Sequence, residues 1–234
     1  EVLNVRPTQG LKIKVQSDIP MGCGLGSSAA LILAVMHVIA KHLKLSLSPE
    51  VLFRMALEVE NLQHGYSSGL DLRIAQQGGC LLMKEDEVLR RAIPPFPFYL
   101  INTGTPLCST GECVSQVEPF FRSRERKENF AAVTAMMDQA LEKQAYKNFH
   151  AALLANHRLL NEIGVVPLKV QNCIAEIEQQ GGAAKICGAG AISGEQAGMV
   201  LAVVDEVEPL IEICARYHYT LMPASADERG VHVV

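Results

Sequence analysis

Three short stretches of this chain hold the residue types that could do chemistry. Residues 20–30 read PMGCGLGSSAA, residues 60–71 read ENLQHGYSSGLD, and residues 185–194 read KICGAGAISG. In the first, Gly22, Gly24 and Gly26 alternate with small residues, Ser27 and Ser28 follow, and a long apolar segment begins at once. Glycines before a helix let the backbone approach an anion with no side chain in the way. A helix N-terminus adds outward N–H groups and roughly half a positive charge. Serine hydroxyls at the turn offer oxygen to a phosphate partner or to Mg2+. This is the chemistry of a phosphate cradle, although the same composition also serves close helix–strand packing. It is not a Walker loop, because the Lys of GxxxxGK[ST] is absent. Nor is it a GxGxxG fingerprint, because Gly26 arrives one residue early.

The second stretch has an acid, Glu60, at the end of a helical pattern and another, Asp71, in a Gly/Ser loop. An enzyme that handles a Mg-nucleotide needs a hard carboxylate oxygen for the metal. It also needs a second carboxylate near the attacking hydroxyl. The bland alternative is an exposed helix acid and a turn-forming Asp. The third stretch, alone, is a turn leaving a strand. His64, Ser67 or Ser68, and Asp71 also supply the types of a hydrolytic triad. Crowded into eight residues they would struggle to face one another, and no GxSxG elbow is present.

The elements that must position these groups follow from periodicity. LKIKVQSDIP (11–20) alternates like a half-buried strand, and SSAALILAVMHVIAKHL is apolar on nearly every side, which predicts a buried helix. Ser48, Pro49 and Glu50 form a helix start, with Val51, Leu52, Met55, Val59 and Leu62 as its apolar stripe. On that wheel Glu60 projects away from the stripe and Glu58 lies nearer to it. GGCLLM (78–83) reads as a strand, and the prolines of IPPFPF (93–98) mark a domain boundary. FYLINTG is then a strand, residues 128–162 one or two helices, and a helix from Leu168 ends at Gly181 and Gly182. AAKI, GMVLAVVD, YTLMPAS and GVHVV read as strands around a helix in EVEPLIEICARYH. The rhythm predicts an α+β fold with helices on one face of a largely antiparallel sheet.

Composition narrows the classes. The chain has 234 residues, 49% hydrophobic, with a formal net charge of -4, enough for one large or two modest domains and no basis for nucleic-acid binding. RSRERKEN mixes both signs and reads as a solvated loop or helix start. Seven scattered cysteines with no zinc spacing read as reduced thiols of a cytoplasmic protein. No apolar run predicts a membrane span or signal peptide. The chain opens without Met in what reads as mid-sheet, so further N-terminal sequence is expected.

Together the three motifs resemble the GHMP kinases, the family of galacto-, homoserine, mevalonate and phosphomevalonate kinases. PMGCGLGSSAA is similar to the family's PxxxGLGSSAA loop, and EVENLQHGYSSGLD is most similar to the HGxPSGxD pattern of its mevalonate branch. INTGTPLCSTGECVSQV (101–117) and NHRLLNEIGV (156–165) extend the likeness over residues 11–204. The resemblance implies a two-domain fold: an N-terminal α/β domain of ribosomal protein S5 domain 2 type over 1–92, lacking its first strands, and a ferredoxin-like domain over 93–234. It implies phosphorylation of the primary hydroxyl of mevalonate by ATP, with Mg2+. Other small-alcohol, phosphomevalonate or sugar kinases, or a non-catalytic metabolite sensor, are the alternatives, and a homodimer is left open. Pro20, Gly22, Gly24, Leu25, Gly26, Ser27, Ser28 and Ala29 would form the ATP loop, joined by Gly188, Ala189 and Gly190. Ser28 and Glu60 would hold the metal, and Asp71 would be the catalytic carboxylate. His64 would hold its loop; for a substrate carboxylate Arg73 is available, with a solvent-facing Arg73 the equal alternative. Ser67 stands where the family has Pro, Leu72 where it has a polar residue, and AISGEQAG where it has a run of glycines. The family's first motif, with a Lys that pairs with the catalytic Asp, has no counterpart in residues 1–10.

Overall fold

A computed structural model describes residues 10–84 and 87–232, the side chain of His64 excepted. The chain runs α1 (Ser27–His42), α2 (Pro49–His64), α3 (Leu70–Gln77), β1 (Cys80–Lys84), β2 (Glu87–Arg91) and β3 (Phe98–Asn102). It continues with α4 (Thr110–Val117), α5 (Arg124–Glu142), α6 (Tyr146–Glu162), α7 (Leu168–Gln179), β4 (Ala183–Ile186), β5 (Met199–Val203), α8 (Glu208–Tyr217) and β6 (Thr220–Ala224). The fold is α+β.

The helix signals hold where capping chemistry is strong. Ser48 accepts the Val51 N–H at the start of α2, with Pro49 at the first helical position. Ser109 and Glu112 make a reciprocal capping box on α4, and Ser123 of the RSRERKEN stretch caps α5. Residues 128–162 resolve into two helices because Gln144, at φ +48°, turns the chain between them.

From β3 onward the strands form a four-stranded sheet in the order β4-β5-β3-β6, every neighbour antiparallel. Sequence order β3, helices, β4, β5, α8, β6 in that spatial order is the ferredoxin-like split βαβ arrangement. One face carries Ile101, Ala184, Ile186, Val200 and Ala202 against Val170, Ile174 and Ile177 of α7 and Leu210 and Ile213 of α8. Before the sheet, α1, α2 and α3 share a smaller core of Ala29, Leu33, Phe53, Ala56 and Leu72. The β1–β2 hairpin links the two regions: Arg91 of β2 pairs with Asp138 of α5 at 2.6 Å.

Four expectations are corrected. Residues 11–20 form no strand and are almost wholly exposed; a ladder needs a paired neighbour, and no described strand pairs with them. Helix α1 is buried along Ala29, Leu33 and Ala40 only, while Leu31 and Val38 face outward. The buried face of α2 is Leu52, Phe53, Ala56 and Glu60, whereas Val59 and Leu62 of the expected stripe, like Glu58, are exposed. Lastly, residues 230–232 form no strand. The tail instead returns to α3, with the Val231 N–H on Ala75 O at 2.9 Å and the Gly79 N–H on Asp227 O at 2.7 Å. The opening stretch that reads as mid-sheet lies largely on residues 1–9, outside the described residues.

Within α6, His157 is 4% exposed, with Nε2 3.0 Å from Asn161 Nδ2. Burial, with the charge of Arg158 adding to it, lowers its pKa to about 4 from 6.5. The imidazole is therefore folded neutral, and protonation favours the unfolded chain. Stability from this group is complete above about pH 6.5 and drains away as the pH falls toward 4, a loss of at most about 3 kcal/mol. Urea unfolding at pH 7 and pH 4.5 should show that loss, and His157→Gln should remove most of the difference.

Candidate active site

The loop of residues 20–26 turns on three glycines in the left-handed region, Gly22 at φ +69°, Gly24 at +81° and Gly26 at +63°. Gly26 caps α1 and its carbonyl accepts the Ala30 N–H at 3.0 Å. No acid stands in the first turn of α1, and Lys41 and His42 occupy the last. The positive end of the helix dipole is thus left unneutralised by its own first turn, beside the loop.

This loop is held from the far side of the molecule. The Met199 N–H at the head of β5 donates to Cys23 O at 2.9 Å. At Gly24 the two glycine loops cross: a Cβ there would lie 2.7 Å from both N and Cα of Gly188, and a Cβ on Gly188 would lie 2.6 Å from Gly24 Cα. Gly198 is equally constrained, since a Cβ there would lie 2.6 Å from Cys23 O. Only glycine fits at such an approach.

Asp71 arrives from a third element. It stands in the first turn of α3 and not, as expected, in a loop. Its carboxyl carbon would lie 3.4 Å from a Cβ on Gly26. The N-termini of α1 and α3 therefore meet at the glycine loop. Gly24, Leu25, Gly26 and Asp71 line a cavity of about 530 Å3 with Ile19, Ala30, Leu33, Ile74, Ala75 and Val231.

Glu60 lies on the buried face of α2, 5% exposed, with Oε2 accepting from Ser67 Oγ at 2.9 Å. That hydroxyl accepts in turn from the Gly69 N–H at 3.0 Å, and the Ser67 N–H donates to Asn61 Oδ1 at 2.7 Å. Ser67 thus joins the Glu60 carboxylate to the loop that launches α3. A proline here, as in the family pattern, could make neither donation.

Other sequence-predicted residues are placed differently. Ala29 is fully buried in the helical core, so only its backbone belongs to the loop. Gly22 has Thr105 Cγ2 as its neighbour, and Pro20 is half-buried at the loop's entry. Gly188 and Ala189 are partly exposed, but Gly190 is turned inward, where a Cβ would run into Val165 O. Arg73 is committed elsewhere: it grips Glu50 through two hydrogen bonds and lies 3.4 Å over the Phe53 ring. It is not the cation for a substrate carboxylate. The His64 side chain lies outside the described residues.

The residues that sequence reasoning missed are Ser67, seen only as a departure, and the docking pair Cys23 and Gly198. Gly198 carried a signal, a lone glycine directly before a strand, which marks close backbone approach. Gly24→Ala tests the crossing. It should destabilise the fold by about 1–3 kcal/mol and weaken nucleotide binding at least tenfold, read by thermal denaturation and nucleotide titration.

Residues 1–79 match the family model described as GHMP kinases N terminal domain. The mevalonate kinase of Archaeoglobus fulgidus is 35% identical over 191 residues, covering 80% of this chain and 64% of that protein. That of Pyrococcus abyssi is 31% identical, covering 77% of this chain and 57% of that protein. The chain thus spans about three fifths of the length of these relatives. The crystal structure of Methanococcus jannaschii mevalonate kinase superposes with a TM-score of 0.77 at 21% identity, covering 99% of this chain and 72% of that one. Motifs, sheet topology and relatives converge on the GHMP kinases, whose N-terminal domain the chain matches over residues 1–79.

Proposed function

We propose that this protein transfers the γ-phosphoryl group of ATP to the primary hydroxyl of mevalonate, giving 5-phosphomevalonate. The observation that carries the reading is the meeting of Asp71 with the glycine loop at Gly26, beside the crossing with Gly188. The 35% identity to a mevalonate kinase supports the choice of alcohol. The division into domains 1–92 and 93–234 belongs to the same reading, with the tail at 225–232 crossing back.

The donor set suits a Mg-nucleotide. Among the described residues no three His, Cys, Asp or Glu side chains gather as a metal cage. Mg2+ characteristically takes one or two protein oxygens and completes its shell with water and substrate phosphates. Glu60 and Ser28 would hold it, Glu60 having one oxygen fixed by Ser67. ATP supplies the phosphoryl group, and Mg2+ spreads the negative charge that builds on its oxygens. The chain's task is then positioning and electrostatics. Gly24, Gly26 and Gly188 open the backbone to the phosphates, and the α1 amides face them. Asp71 orients the alcohol and accepts its proton as the new P–O bond forms.

Three measurements test this. Asp71→Asn keeps size but not charge, and turnover should fall about 10²–10⁴-fold while nucleotide binding persists. Nearly normal turnover would remove Asp71 from the chemistry. Ser28→Ala and Glu60→Gln should each demand more Mg2+ for half-maximal rate, and unchanged metal titrations would overturn the ligand assignment. Among mevalonate, phosphomevalonate, homoserine and galactose, mevalonate should give the highest kcat/KM. A tenfold advantage for another alcohol, about 1.4 kcal/mol, would reassign the substrate within the family.

A further inference from the structure

Two of the seven cysteines face one another where α4 begins. Cys108 and Cys113 hold their sulfurs 3.3 Å apart, and both are bonded to the third glycine loop. The Cys113 thiol donates to Gly190 O at 3.6 Å, and Cys108 Sγ accepts the Ile192 N–H at 3.4 Å. Cys113 is 1% exposed and Cys108 is partly open to solvent.

We propose that Cys108 and Cys113 form a reversible disulfide, a redox modification site that latches the loop of residues 188–194. Two independent features support it. The first is reach: the sulfurs need to close by only about 1.2 Å to the bonded distance. The second is a division of labour between the thiols. Burial alone would push Cys108 up, but hydrogen bonds from the Ile192 N–H, the Cys113 thiol and the Ser193 N–H bring it below the ordinary thiol value. Cys113 is pushed up to about 11, by burial first and then by Cys108. A partly open, thiolate-prone sulfur beside a buried, protonated one is the arrangement of an attacking and a resolving cysteine.

The oxidant is a peroxide. The Cys108 thiolate attacks one peroxide oxygen, the O–O bond breaks, and hydroxide leaves with Cys108 as the sulfenic acid. Cys113 sulfur then attacks the Cys108 sulfur, the S–O bond breaks, and the hydroxyl departs with the Cys113 proton as water. Two thiols and one hydrogen peroxide give one disulfide and two waters. A thiol reductant reverses the bond by exchange.

The bond removes the Cys113 donor from Gly190 O and the thiolate acceptor from the Ile192 N–H. Gly190 has no slack to absorb this, packed as it is on Val165 O. The strain passes two residues back to Gly188, at its crossing with Gly24. That consequence for turnover rests on the proposed kinase reading; the bond itself does not.

The test uses the reduced full-length protein, treated with hydrogen peroxide, alkylated and digested with trypsin. Both cysteines fall in one peptide, residues 92–122. Supporting results are a peptide lighter by two hydrogens and unalkylated at both sites, with turnover down at least tenfold and both restored by dithiothreitol. Cys108→Ser should hold its own starting turnover in peroxide, as should Cys113→Ala, whereas Cys80→Ser should stay sensitive. Peroxide that leaves both sulfurs alkylatable, or oxidises Cys108 alone, overturns the disulfide. A disulfide that forms with turnover unchanged overturns the latch. The peptide mass reads the bond even if none of the tested alcohols is a substrate.

Discussion

The structure depends on one close approach, the backbone of Gly24 against the backbone of Gly188. These loops come from opposite ends of the sequence, one leading into a helix and the other leaving a strand. Each has to give up its side chain for the other to fit, because a Cβ on either would enter the other's main chain. The hydrogen bond from Met199 to Cys23 O fixes the register of the crossing. Gly198, pressed against the same carbonyl, removes the remaining freedom. Backbone contacts of this kind do not vary with rotamer, so the site inherits the rigidity of the sheet.

That rigidity explains how a small helical core can present a charged site at all. Among the described residues a small apolar cluster of Ala29, Leu33, Phe53, Ala56 and Leu72, flanked by partly buried neighbours such as Ile32, Met36 and Leu57, holds α1, α2 and α3 together. The polar wiring does what packing alone would leave loose. Glu60 is bound by Ser67, and Ser67 by the amide of Gly69 directly before α3. A shift of the Glu60 carboxylate is thereby a shift of the helix that carries Asp71. Glu60 is tied, through Ser67 and the Gly69 amide, to the start of the helix on which Asp71 stands.

How much of this was legible in the sequence depends on the range of the interaction that decides each feature. Local chemistry was read well where it was decisive: the Ser48 cap with Pro49 and the strands of the sheet follow from neighbours within one turn, whereas the break before α6 was left open between one helix and two. Faces were read poorly. The stripe assigned to α2 included Val59 and Leu62, both exposed, and left out Glu60, which is buried. The error is physical: hydropathy assigns an acid to solvent, and only the Ser67 hydroxyl, seven residues away in a loop, makes its burial affordable. The strand expected at residues 11–20 and the tail that returns to α3 fail for a related reason. Both depend on a pairing partner distant in sequence, which alternation cannot name.

The site motifs were legible as types, while their roles were divided by geometry. Gly188 and Gly190 stand two residues apart in one glycine-rich run, and a pattern treats them alike. Yet Gly188 has another loop's backbone against it, whereas Gly190 is turned into the core on Val165 O. The first therefore shapes the cleft and the second anchors the loop that shapes it. The same logic accounts for Asp71. Placed in the first turn of α3 and not in the loop before it, the carboxylate gains a fixed direction from the helix. A loop aspartate would have had none, so the glycine at position 69, which lets α3 begin where it does at φ +76°, sets where the carboxylate stands as firmly as the aspartate supplies it.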